Sequence, residues 1–491
     1  MKKLVLSILA LTAMVLTGSN AAARNITVAE AAEVGAYYME RNTLYEGVKA
    51  ADLTLVHEIE GEVGTAVYCF NVSDWGWIMV SASTAVDPIM GFSGNGTLCE
   101  WAQLPPAMRW WCEGYAGVIS DIQKADLTEK FDDTPEWTEL FNHTLKTNAK
   151  ADDPRVLLLS TYWGQGTPHN PSYNYFCPID PTTNTYSYVG CVATAMAQII
   201  RYYEYPVVPK SSKNYYTRTH GINLRLKFDT LRFDYSQMPA RLFASSPYSE
   251  VYNVAMLSYA CGVAVEMDYT SDGSGSQSLR VVTGMKNHFK YTQGEYSERT
   301  TTAPFLAKLR TDLLMRRPVY MSGSSPIGSG SDAAGHAWVC CGYRTDNENQ
   351  YYMNWGWTSS GDGFFNLYTN TQNSMYISSQ GYAFINGQAI ITGMVPPSPD
   401  STSVDFNTPI SVVEDLTELS PAYPNPAVFD VTLPYAVTSE AEMQVFGIDG
   451  KLVATRRLTP GNGHVTLDVR SMPAGIYIYR VGGKSGKFIV R

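Results

Sequence analysis

Gly190-Cys-Val-Ala-Thr-Ala-Met-Ala-Gln-Ile-Ile-Arg-Tyr-Tyr203 places Val192, Met196, Ile199 and Ile200 at i, i+4, i+7 and i+8, one apolar stripe of a helix. Cys191 stands at the start of that helix, behind a glycine that permits a tight turn. The unpaired N–H groups and the positive dipole end there favour a thiolate, the attacking form of cysteine. Most free cysteines are nothing more than small buried hydrophobes. Whether this one is a nucleophile depends on what accompanies it.

A cysteine nucleophile needs a base, and there are seven histidines: His57, His143, His169, His220, His288, His336 and His464. His336 stands apart because it lies in Gly335-His-Ala-Trp-Val-Cys-Cys-Gly342, a strand-like run that follows the small-residue stretch Ser322 to Ala334. It comes 145 residues after Cys191, inside the gap of roughly 130–150 residues of papain-like Cys/His pairs. Gln165, in Trp163-Gly-Gln-Gly166, lies 26 residues before Cys191. Its side-chain amide and the Cys191 N–H can together hold a developing oxyanion, and losing one such donor costs roughly 2.7–4 kcal/mol. Asn354-Trp-Gly-Trp357 begins 18 residues after His336. Asn354 can orient the imidazole while the indoles, Trp357 among them, shield that bond from water. Each piece alone is an ordinary polar loop or core aromatic. The four in this order describe a thiol-peptidase constellation.

Composition narrows the class around that centre. With 491 residues, about three domains are expected. The net charge of −10 on a chain only 17% charged excludes a broadly basic nucleic-acid footprint. A content of 45% hydrophobic and 12% aromatic residues excludes a disordered polyelectrolyte. Eight cysteines are too sparse for a disulfide scaffold, and no paired C-x-x-C spacing points to zinc. Asp272-Gly-Ser-Gly lacks the acidic series of a calcium loop. No metal and no cofactor are expected. Cys340 and Cys341, adjacent on a strand, project to opposite faces and read as core residues rather than a redox pair.

Outward from the centre, the chain divides. Lys2 and Lys3, the apolar run Leu4 to Leu16 and Ala21-Ala-Ala23 describe a secretory leader over 1–23. Its 13 apolar residues are too few for a bilayer that needs roughly 20. Residues 24–150 read as α+β, with helices over 28–41 and 108–122 and strands over 65–72, 77–82 and 89–92. Residues 144–154 are polar and aperiodic, an exposed linker open to a protease. Residues 151–395 carry helices at 191–203 and 249–262, then strands from about 317 onward. Val395-Pro-Pro-Ser-Pro-Asp-Ser-Thr-Ser403 starts a linker over 396–420. Residues 421–491 read as a small all-β module whose clearest hairpin signal is Asp449-Gly450.

Several of these motifs resemble the streptopain-like cysteine peptidases, the C10 family of a papain-like clan. They are Gly190 to Gln198 with Tyr205-Pro206, Gln165-Gly-x-Pro-x-Asn170, the Ser/Gly run Met267 to Ser276, Gly335-His-Ala337, and Asn354-Trp-Gly-Trp357 with Gly361-Asp-Gly-Phe-Phe365. Gly76-Trp-Ile-Met-Val-Ser-Ala82 to Pro88-Ile-Met-Gly91 is similar to that family's inhibitory prodomain. The resemblance implies an α+β papain-like catalytic domain with Cys191 as nucleophile, His336 as base and acid, Gln165 in the oxyanion hole, and Asn354 and Trp357 around the histidine. It also implies substrate contacts from Gly335 and a serine of the 274–278 loop, of which Ser276 is the choice. The implied partners are protein and peptide substrates and the chain's own prodomain, expected to cover the cleft and displace His336 or its loop. Pro421-Ala-Tyr-Pro-Asn-Pro426, Asp449-Gly-Lys451, Gly475 to Arg480 and Lys487 to Arg491 resemble a type IX secretion sorting domain, a small β sandwich. That implies export through the periplasm to the outer surface or beyond. Two other readings stay open: a Cys-His acyl transferase or amidase sharing the same chemistry, and an inactive surface binding protein on the same scaffold.

Overall fold

The computed structural model describes residues 23–43, 45–124, 135–145, 154–169, 171–324, 335–367 and 388–397. Of the C-terminal part it describes 422, 427, 430–437, 440–447, 451–470, 472–481 and 484–490. Residues 1–22 of the expected leader, the linker residues 146–153, Asn170, most of 322–334 and of 396–420, and the Asp449-Gly450 turn lie outside these residues.

The N-terminal segment contributes helix α1 (Val28–Asn42), strands β1 (Leu53–Gly61), β2 (Gly64–Val72), β3 (Gly76–Ser81) and β4 (Ile89–Ser93), and helices α2 (Pro106–Lys124) and α3 (Pro135–Phe141). A capping box starts α1: the Glu30 N–H donates to Thr27 Oγ1 at 3.3 Å and the Thr27 N–H to Glu30 Oε2 at 2.8 Å. There follow β5 (Arg155–Leu157), α4 (Cys191–Tyr203), α5 (Tyr248–Ala264), α6 (Leu279–His288), β6 (Glu295–Glu298) and α7 (Thr302–Leu314). Strands β7 (Val319–Ser324), β8 (Gly335–Arg344), β9 (Gln350–Asn354), β10 (Gly363–Asn366) and β11 (Ala389–Thr392) complete this part.

These strands form one antiparallel sheet in the order β1-β2-β3-β4-β10-β9-β8-β7-β11-β6, with β5 added to the far half of β8. The N-terminal segment therefore does not stand apart, and Met1–Pro399 is one compact unit. The seam is narrow, Phe92 opposite Phe364 and Gly91 opposite Phe365. A side chain at Gly91 would meet the Phe365 ring at 2.9 Å and the Phe364 carbonyl at 3.1 Å, so glycine lets the two halves close.

Strand alternation divides the core into two layers. Ile78, Val80, Val339 and Cys341 face α1, α4 and α5, whereas Trp77, Met79, Trp338 and Cys340 face α2 and α7. Both adjacent cysteines are buried, one in each layer.

In the second compact unit, Asp400–Arg491, the described residues with regular structure are all β. Strands β12 (Asp430–Val437) and β15 (Gly461–Asp468) pair with each other. Strands β13 (Ala441–Gly447), β14 (Leu452–Leu458), β16 (Gly475–Val481) and β17 (Lys484–Val490) form a second sheet in the order β14-β13-β16-β17. Val431, Leu433, Met443, Val445, Tyr479 and Phe488 fill the core the two sheets share.

Candidate active site

Cys191 opens α4 after Gly190, whose φ of 87° lies in the left-handed region. A Cβ there would sit 2.7 Å from the Met267 sulfur and 2.9 Å from the Ser274 carbonyl, so only glycine fits. The chain arrives between two partners: Val189 N–H donates to the Gln165 carbonyl at 3.0 Å and Tyr188 N–H to the Thr270 carbonyl at 3.1 Å. No side chain caps α4, which leaves the helix start to the thiol.

His336 is the second residue of β8, opposite Gly323 of β7, and is buried. The imidazole and the Cys191 thiol line one cavity, and each acts on the charge of the other. Burial by itself would push the Cys191 thiol up, but the charge and hydrogen bond of His336 outweigh it and hold the thiol below its ordinary value. Burial likewise pulls the imidazole down, while the Cys191 thiolate and the Trp355 carbonyl raise it above its ordinary value. The two shifts have the signs of a thiolate–imidazolium pair. Burial pushes the thiols of Cys69, Cys112, Cys177, Cys261, Cys340 and Cys341 the other way.

The bond expected from Asn354 to the imidazole is not made. His336 Nε2 donates instead to the Trp355 carbonyl at 3.2 Å. The Asn354 amide is turned to α4: its Oδ1 accepts from Gln198 Nε2 at 3.0 Å, and its Nδ2 donates to Gln198 Oε1 at 3.3 Å and to the Thr161 carbonyl at 2.8 Å. Asn354 Oδ1 also accepts from the Gly356 N–H at 3.1 Å. That N–H and the Trp355 carbonyl belong to one peptide group, so Asn354 bears on the imidazole at one remove.

Gln198 is the residue that sequence reasoning passed over. It is fully buried on the helix that Cys191 starts, and its Oε1 also accepts from Thr161 Oγ1 at 2.9 Å and from the Trp163 N–H at 3.2 Å. One side chain thus ties α4, the segment leading to Gln165, and the turn that holds the imidazole. The available signal was a glutamine inside an otherwise apolar helix. Asp362 was also missed. Its carboxyl accepts from the Trp355 N–H at 2.8 Å, and burial raises it to about 7.

Gly335 and Ser276 line a cavity of about 680 Å³ together with Cys191, His336, Tyr215 and Glu266. The Ser276 hydroxyl donates to the Val265 carbonyl, and the Ser278 hydroxyl pairs with that of Tyr320 at 2.8 Å. The Trp357 ring is tilted 57° to the imidazole at 5.9 Å between centres. Gln165 and Trp357 line a second cavity.

Among the described residues, nothing from 23–145 lines the larger cavity, and His336 keeps its place beside Cys191. The described residues of 23–145 make their contacts elsewhere. They pack on the turn behind the histidine. The Trp111 ring meets Trp355 edge to face at 6.1 Å, the Met108 sulfur lies over Gly361, and the Tyr115 hydroxyl donates to the Asn366 carbonyl. The apolar face of α2, which also packs on β1 and β2, supplies these aromatic and thioether contacts. No cluster of three or more His, Cys, Asp or Glu side chains among the described residues is arranged to hold a metal ion.

Comparison with known proteins agrees with this layout. Residues 163–365 match the Peptidase C10 family, residues 23–119 the Spi protease inhibitor family, and residues 421–491 a secretion system C-terminal sorting domain. The thiol protease/hemagglutinin PrtT of Porphyromonas gingivalis is 26% identical over 74% of this chain, a stretch that spans only 42% of PrtT. Streptopain of Streptococcus pyogenes serotype M1 is 25% identical over 72% of this chain and 85% of its own length. A fragment of Prevotella intermedia prointerpain A shares the fold, with a TM-score of 0.54 and 24% identity over 71% of this chain and 99% of the fragment. The chain thus carries a Peptidase C10 cysteine peptidase domain, with a Spi-inhibitor-like prodomain before it and a type IX secretion sorting domain after it.

Proposed function

We propose that the chain is an exported cysteine endopeptidase, made as a latent precursor, that cleaves peptide bonds through Cys191 and His336. The thiolate adds to the scissile carbonyl, and the oxyanion that forms is held by the Cys191 N–H and the Gln165 amide. The imidazolium gives its proton to the departing amine, leaving a thioester. A water molecule, deprotonated by the now neutral imidazole, adds to that thioester and releases the acid product and the thiolate. The Trp355 carbonyl keeps Nε2–H engaged, which leaves the other ring nitrogen for this traffic.

The observation that carries the reading is the mutual shift of Cys191 and His336 beside an open cavity. We assign residues 24–150 as the prosegment and the stretch between Leu145 and Pro154 as its cleavage site. In the full-length chain Cys191→Ala abolishes hydrolysis of a denatured protein substrate and labelling by an epoxide-type thiol reagent, and His336→Ala is comparably severe because the two act as one unit. The activity of an aged preparation returns with a thiol reductant. Near-wild-type turnover in Cys191→Ala would overturn the assignment.

A further inference from the structure

Behind Gln165 and Trp357 lies the second cavity, of about 350 Å³, separate from the one that Cys191 and His336 open into. Tyr173, Leu242, Phe243 and Val251 supply apolar walls, beside the polar Thr167, Ser172 and Thr358. Tyr173 and Leu242 are buried, whereas Phe243 is 61% exposed, a large apolar ring kept at the surface. The loop presenting it is built rigidly. Phe243 N–H donates to Ser246 Oγ at 3.1 Å and Ser246 N–H to the Phe243 carbonyl at 3.0 Å, a closed turn with the ring outward.

The same loop is fastened to the segment that carries Gln165. Tyr162 N–H donates to the Ala240 carbonyl at 2.8 Å, Trp163 Nε1 to the Pro239 carbonyl at 2.9 Å, and Leu242 N–H to the Tyr173 hydroxyl at 2.9 Å. The cavity is thus held in a fixed relation to the catalytic centre, not formed by a chance loop position.

The direction of the substrate follows from the chemistry. The acyl portion occupies the larger cavity with Gly335 and Ser276, and its carbonyl oxygen points between the Cys191 N–H and Gln165. The departing nitrogen must take its proton from His336, so the chain beyond it leaves past Trp357, whose ring adjoins the imidazole. It then enters the second cavity. We propose that this cavity is a binding site for an apolar or aromatic residue on the leaving side of the scissile bond, with Phe243 as its selectivity-determining wall. The proposal rests on the peptidase reading above.

The test uses the full-length chain held in reductant until its activity is constant. Two internally quenched peptides share one acyl side and carry Leu or Asp at the two positions after the scissile bond. The wild-type chain favours the Leu peptide in kcat/KM, and Phe243→Ser lowers that preference roughly tenfold, as expected for one apolar wall of a pocket. Phe243→Leu restores most of it. Equal rates for the two peptides in the wild-type chain, or a preference that survives Phe243→Ser, would overturn the proposal. A p-nitroanilide with the same acyl side has no residue beyond the bond. Its cleavage by the wild-type chain supports the peptidase reading by itself, and failure to cleave either it or the peptides overturns that reading and this one together.

Discussion

The front and the back of the histidine are built differently. In front, Cys191 and His336 meet an open cavity to which the described prosegment residues add no wall. Behind, the turn from Trp355 to Asp362 is closed in by Trp111 and Met108 of the prosegment. The chemistry sits on the open side, and the parts that aim it are packed on the closed side. The imidazole's acceptor is a backbone carbonyl on that turn, so anything that shifts the turn shifts the base without touching the cleft.

Substitutions on the two sides should therefore fail in different ways. At the front, Gln165→Ala removes the proposed oxyanion donor and lowers kcat roughly 10²–10³-fold with little change in stability, measured on peptide turnover and thermal unfolding. A loss confined to KM would place Gln165 in substrate binding alone. Between the sides, Gln198→Leu keeps the volume but leaves the buried Asn354 amide and the Trp163 N–H short of partners, a cost of about 1–3 kcal/mol. It lowers kcat roughly tenfold at unchanged KM, because the acceptor for His336 loosens while the cavity stays intact. Wild-type kcat in a destabilised Gln198→Leu would reduce the residue to a purely structural one.

At the back, the smallest effect on turnover belongs to Asp362→Asn, which retains an acceptor for the Trp355 N–H. Its effect is on stability against pH. The folded carboxyl keeps its proton to about 7, and the unfolded one releases it near the ordinary 3.8. Between those values the folded state binds more protons, so stability falls as pH rises through this window and levels off above it. Asp362→Asn removes that slope, a change on the order of 4 kcal/mol in urea unfolding between its two ends. An unaltered slope would show that the carboxyl is not held protonated by burial.

Local pattern carried much of this into the sequence. The apolar stripe from Val192 to Ile200 marks α4, and the structure bounds that helix at Cys191 and Tyr203. Strands over 65–72 and 89–92 appear as β2 and β4 with shifts of one residue. Leu53–Gly61 was passed over because Val56, His57 and Glu58 break its alternation, where the pairing register also slips between Leu55 and His57. The continuous sheet was not legible either, since the Phe92–Phe364 contact joins residues far apart in sequence. At the site, residue type pointed to Asn354 as the imidazole's partner. A backbone carbonyl has no side-chain signature, so Trp355 could not compete with it on paper. Asn354 and Gln198 choose each other because both amides are buried, and a buried amide needs all its partners close by.

The pairing of Cys191 with His336 is tested most directly by the pH dependence of Cys191 alkylation with iodoacetamide in the full-length chain, with and without His336→Ala. In the wild-type chain the reactive thiolate should persist below the ordinary thiol pKa of about 8.5. With the imidazolium gone, the transition should move up toward or beyond that value, since only burial and the helix start then act on the thiol. A wild-type thiol that titrates as an ordinary cysteine, with His336→Ala changing nothing, would contradict the ion pair at the centre of the mechanism.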